Sequence, residues 1–237
     1  MLVAAAVCPC PPLLVPEVAR GAAPELEAAR AACTDALGVL AAARPDLLVV
    51  VGAAERPGRG PHPEGTRGSF RGFGVDLDVR LGRERGTASE AVLPPSLAVA
   101  AWLLERHAWS GAPVEGLGVG EPLAPERCAE AGRDLAARAD RVALLVMGDG
   151  SACRSLKAPG YLDERAEPFD ARVAEALGAA DPDALMTLDP DLARTLKVSG
   201  RAPWQVLAGA AAPAGLTGTL LYDEAPYGVG YLVATWS

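Results

Sequence analysis

Histidine is nearly missing from this 237-residue chain, which has only His62 and His107. His62 stands in a Gly/Pro-rich stretch. His107 closes a helical pattern, where a positive charge suits the C-terminal dipole. On separate segments the two make no pair, which leaves few routes to a histidine-rich metal centre or proton relay. No apolar run reaches the ~20 residues of a membrane-spanning helix, so no membrane partner is expected. Acidic residues outnumber basic ones, 30 to 22, for a net charge of −8. With no cluster of Lys or Arg to offset this, a phosphate backbone is not an expected partner, and nucleic acid is set aside. Five cysteines (Cys8, Cys10, Cys33, Cys128, Cys153) are an odd number without zinc-type spacing. That argues against a disulfide framework and for a reduced, cytoplasmic protein. The chain also lacks Gly-x-Ser-x-Gly, a Walker loop, and Gly-x-Gly-x-x-Gly after a strand.

What is present is apolar and patterned. Hydrophobic residues make up 50% of the chain, enough to build a core and to argue against disorder. The heavy use of alanine, glycine, proline and arginine is that of a high-GC bacterial genome. Leu2 to Val7 is a continuous apolar run that reads as a buried strand, ended by Cys8-Pro9-Cys10-Pro11-Pro12. Ala4 to Cys8 has the look of a lipoprotein cleavage site, but without a charged n-region or a long h-region a first core strand is the better reading. Helical spacing runs from Pro24 to Ala43, and Asp46 to Val51 is a second buried strand closed by Gly52. Residues 53–73 form a long Gly/Pro/Arg excursion, and Val75 to Val79 alternates like a half-exposed strand.

Helices are expected over 94–107, 125–139, 167–177 and 202–212, with one or two short aspartate-capped helices in 182–197. Strands are expected over 114–119, 142–147, 216–221 and 230–235. With no repeat and no linker, this predicts a single α/β domain, 1–237, whose mixed and mostly parallel central sheet carries helices on both faces.

Ligands in such sheets gather at strand carboxyl ends. The ends at Cys10, Gly52 and Gly148, together with the Glu224 turn, are therefore expected to meet in one cleft. Cys8 and Cys10 could bind a soft metal, supply a reactive thiol, or simply pack. Gly148-Asp149-Gly150-Ser151 is a turn that could present Asp149 and Ser151 to a pocket, or a plain strand exit. Arg154 and Lys157 could meet an anion or form a solvated basic turn. Asp223-Glu224 precedes Ala225-Pro226-Tyr227-Gly228-Val229-Gly230, and at most one of the adjacent carboxylates can face a pocket.

Together these stretches resemble the class III extradiol dioxygenase B-subunit (LigB-like) family, and within it the domains that precede AMMECR-type domains. Cys10-Pro11-Pro12-Leu13-Leu14-Val15-Pro16-Glu17 is similar to the family's Pro-His-Pro-Pro opening. Pro45 to Val51 is similar to the strand before its Ser-Pro-His. Gly148 to Ser151 is similar to its Ser-Gly-Asp-Leu-Ser-His, and Glu224 to Tyr231 to its Glu-Gly-Pro-Phe-Gly-Val-Gly-Tyr. Family members hold Fe(II) with two histidines and a glutamate. The resemblance aligns those ligands with Cys10, Ala54 and Val198, and the family's acid/base histidine with Ala152. Alanine and valine neither ligate metal nor move a proton.

The expectation is thus a LigB-like protein that has lost its iron site and dioxygenase activity, with no cofactor. It would keep a cleft for a small molecule or a protein partner, lined by Cys10, Pro11, Ala54, Asp149, Ser151, Glu224 and Tyr227. The alternative is a metal-dependent dioxygenase or other oxidoreductase, with Fe(II) held in a rebuilt site by Cys8, Cys10, His62 and Glu224, and Asp149 beside them. A homo-oligomer is compatible with either.

Overall fold

The computed structural model describes residues 1–84 and 91–237. The chain runs β1 (Leu2–Cys8), α1 (Pro16–Ala19), α2 (Glu27–Ala42), β2 (Leu47–Ala53), β3 (Gly60–His62), β4 (Arg67–Ser69), β5 (Asp78–Arg80) and α3 (Pro95–Arg106). It continues through β6 (Val114–Val119), α4 (Pro125–Ala136), β7 (Val142–Met147), α5 (Ala166–Ala179), α6 (Pro182–Met186), α7 (Pro190–Thr195), α8 (Arg201–Ala211), β8 (Gly218–Glu224) and β9 (Tyr231–Trp236). Seven strands form one sheet in the order β3-β6-β2-β7-β1-β9-β8, and β4 and β5 form a separate hairpin.

The four central strands, β6, β2, β7 and β1, are parallel; β3 and β9 run against them, and β8, antiparallel to β9, runs with them again. Parallel strands buried on both faces read as continuous apolar runs, and those are the strands visible in the sequence. β1 and β2 are parallel as expected, but they are not neighbours: β7 lies between them and pairs with both. Alternation then divides the core. Leu2, Ala5 and Val7 of β1 face a cluster that includes Val173 and Trp204, beneath α4, α5 and α8. Ala4, Ala6 and Cys8 face the opposite cluster, beneath α2 and α3. This is a single α/β domain with a mixed, mostly parallel sheet and helices on both faces.

Three expectations need correction. The helix assigned from Pro24 starts at Glu27, because Arg20 to Leu26 coils more tightly into 3₁₀ turns. The strand assigned to 75–79 is reduced to Asp78–Arg80, paired with Arg67–Ser69. The Gly/Pro/Arg excursion after β2 also contains two short strands that were not expected, β3 and β4. The paired short helices and their caps stand as expected: Asp181 accepts from Ala184 N and Asp189 from Asp191 N and Leu192 N.

Candidate functional site

A cavity of about 1120 Å³ opens at the carboxyl ends of the parallel strands. Its floor is built from Cys10 after β1, Ala53 and Ala54 at the end of β2, and Asp149 after β7, with Val198 and Ser199 before α8. Three of the four expected strand ends therefore converge, as sheet topology predicts. The walls are mostly apolar, from Pro57, Leu93, Pro94 and Pro122. Arg59, Arg194 and Lys197 supply cations, and Glu55 and Glu121 supply carboxylates.

The floor is one interlocked set of hydrogen bonds. Cys10 N donates to Asp149 Oδ1 at 2.7 Å, Asp149 N donates to Ser199 Oγ at 2.9 Å, and Gly200 N donates to Asp149 O at 2.9 Å. The backbones approach so closely that a Cβ on Gly148 would lie 2.4 Å from Gly200 Cα. Burial raises the Asp149 carboxyl to about 7, only partly opposed by the bond from Cys10 N. Burial, and then the Asp149 charge, push the Cys10 thiol well above its ordinary range. Both effects favour the neutral thiol and weigh against a reactive thiolate at Cys10.

Other expected site residues lie elsewhere. Ser151 is fully buried, and its amide and hydroxyl donate to Asp170 at 2.8 and 2.6 Å. Arg154 completes that arrangement, with Nη1 3.2 Å from Asp170 Oδ2. Arg154 is therefore an internal ion-pair partner rather than an anion receptor, while Lys157 is exposed. The closing turn packs onto the same group: Gly150 N donates to Gly230 O, and Gly230 N to Ser151 O. Cβ atoms on Gly150 and Gly230 would meet the Asp170 carboxylate at 2.8 and 2.5 Å. Both glycine-rich turns thus have a packing reason, since they wrap one buried aspartate. Asp170 was missed in the sequence. Its signal was an acid on the apolar stripe of α5, alongside Ala166, Phe169, Val173 and Leu177.

Glu224 is exposed and does not line the cavity; Tyr222 Oη donates to it at 3.3 Å. Pro11 turns the chain and accepts from Leu14 N, and Tyr227 is half-buried beside Glu25, so neither lines the cavity. Cys8 is buried against the thiol of Cys33. His62 is buried in β3, with Nε2 2.8 Å from Gly58 O.

His62 and Glu224 occupy opposite edges of the sheet, six strand spacings of about 4.8 Å apart. Among the described residues, no three His, Cys, Asp or Glu side chains cluster closely enough to hold a metal ion. The residues present do not fit an iron centre of the extradiol type, and of those named for a rebuilt site Cys10 and Asp149 meet while Cys8, His62 and Glu224 lie elsewhere.

No protein-family model matches the chain, and no curated protein matches it. Among solved structures, the uncharacterized protein JW3007 from Escherichia coli K12 is similar, with a TM-score of 0.55 and 16% identity over 99% of this chain and 100% of that one. At that identity the likeness shows a shared fold and nothing finer. No helix of the described residues is long and apolar enough to cross a membrane.

Proposed function

We propose that this is a LigB-like protein that has lost the iron site and ring-cleaving activity of its class and uses the remaining cavity to bind a small molecule. The supporting observation is that Cys10, Ala54 and Val198, the three positions aligned with the family's metal ligands, border the same cavity. The place is kept while the ligating chemistry is gone. Extradiol cleavage needs a metal to gather catecholate and dioxygen and a base to take the hydroxyl proton. The position aligned with that base, Ala152, offers only a methyl group, and its amide is taken by Leu196 O. The volume suits a small ligand that would be largely enclosed. The five cysteines are all free and buried, which accords with a reducing, cytoplasmic setting.

Two measurements test this on the intact protein. Oxygen uptake with a catechol panel after anaerobic Fe(II) reconstitution should show no iron-dependent consumption. A thermal-shift library should contain ligands that raise the melting temperature, by about 2.7 kcal/mol of stabilisation at a hundredfold excess over Kd. Iron-dependent oxygen consumption with a ring-opened product would refute the lost activity. Silence across the library would refute the binding site.

A further inference from the structure

We propose that the cavity is built for an amine, whose ammonium group sits on Asp149 while its apolar body lies against the alanine, proline, leucine and valine walls. This rests on the reading of the cavity as a small-molecule site and adds the class of ligand.

Asp149 is the acidic group at the cavity floor, and its carboxylate accepts one hydrogen bond, from Cys10 N to Oδ1. Among the described residues it makes no ion pair and takes no second donor. Asp149 is half-buried, and a charge held there with one donor loses part of its hydration without return. The other groups around it leave this deficit in place. Ser199 Oγ accepts from Asp149's own amide, which orients the residue but does not serve the carboxylate. The Cys10 thiol and the Tyr231 phenol stand nearby, and burial together with the Asp149 charge keeps both protonated, so neither brings a positive charge.

The cavity's cations are engaged away from the floor. Arg194 Nη2 pairs with Asp191 at 2.7 Å, Arg59 Nε donates to Ala54 O at 3.2 Å, and Lys197 Nζ lies 3.5 Å from Pro159 O. Glu55 and Glu121 also line the cavity, Glu121 with Oε1 3.8 Å from Arg201 Nη2, so acids and cations alternate around the opening while the floor carries Asp149. A carboxylate ligand at the floor would face Asp149 directly. A neutral alcohol would supply a hydrogen bond but no compensating charge, and charge-assisted bonds are about twice as strong as neutral ones.

Benzylamine, benzyl alcohol and benzoate share one apolar body and differ in the head group, so titration calorimetry of the three at pH 8 reads the floor directly. Benzylamine should bind about tenfold more tightly than benzyl alcohol, and benzoate more weakly than either. Asp149→Asn, which keeps an acceptor for Cys10 N, should erase the amine preference and leave benzyl alcohol within about twofold. The three-probe comparison on the unaltered protein needs no variant and stands if Asp149→Asn does not fold. If benzyl alcohol or benzoate equals or exceeds benzylamine, the amine is wrong and the small-molecule reading survives. If none of the three binds, the amine inference also falls, and the library melt alone decides the fate of the cavity.

Discussion

Two aspartates lie near the same end of the sheet, Asp170 buried and Asp149 half-buried at the cavity, and they are served very differently. Asp170 accepts from the amide and hydroxyl of Ser151 and pairs with Arg154, and two glycines let backbone close around it. Asp149 accepts a single backbone bond and fronts a cavity. Burial raises both carboxyls, but the donors around Asp170 oppose that effect, while Asp149 is left at about 7. The number of donors, not the residue type, separates a brace of the scaffold from a carboxylate that fronts a cavity.

The largest expected effect comes from removing the brace. Asp170→Ala leaves Arg154 and Ser151 without their partner and should lower stability by about 3–5 kcal/mol in urea denaturation, as when one member of a buried pair is deleted. A loss below about 1 kcal/mol would mean that Asp170 is no more structural than Asp149.

Asp149 should behave in the opposite sense. Its carboxyl titrates higher in the folded protein than its ordinary 3.8, so between these values the folded state keeps a proton the unfolded state has released. Stability from this group is therefore fully present below about pH 4 and is lost as pH rises through about 7. Asp149→Asn should remove that loss. The variant should be more stable than the parent at pH 8 by roughly 2–4 kcal/mol, with the difference shrinking towards pH 4. A constant difference across that range would show that Asp149 carries no such penalty.

A smaller effect tests the glycines. Gly230→Ala pushes a methyl group against Asp170 Oδ2 and should cost about 1–3 kcal/mol, whereas Gly72→Ala enters open space and should stay within about 0.5 kcal/mol. The smallest change is expected at Glu224→Gln. Exposed and outside the cavity, this position should shift stability by less than about 0.5 kcal/mol and leave ligand melts unmoved. A lost melt shift would return Glu224 to the site.

The central strands could be read from the sequence because burial on both faces writes an unbroken apolar run, as in Val142 to Met147. The expected bounds of that strand and of Val114–Val119 match those observed. The three-residue strands β3 and β4 could not be read, since Gly60, Pro61 and Gly68 carry no strand preference and pairing alone makes them extended, while β5 was read only in its overlap with Val75–Val79. The place of the cavity was legible through Cys10, Ala54 and Asp149, because strand ends are predictable once strands are. Which polar residues of a turn face inward was not. Ser151 and Glu224 were credited to the cleft, whereas Ser151 is claimed by Asp170, nineteen positions later, and Glu224 points to solvent. Ser199, Arg59 and Lys197 reach the cavity through tertiary contacts that no local pattern announces.

The insertion of β7 between β1 and β2 also sets an order of events during synthesis. Residues 2–8 and 47–53 are made early, yet neither has its central neighbour until residues 142–147 exist, and β1 waits further for β9 at 231–236. At roughly 5–20 residues per second, about 95 residues of delay separate β2 from β7 by some 5–19 seconds. Through that interval two apolar strands have unpaired edges, and long-range parallel pairing is intrinsically slow to form. The nascent chain is therefore expected to lean on holding chaperones until β7 zips both halves together, and the cavity can take shape only after that closure.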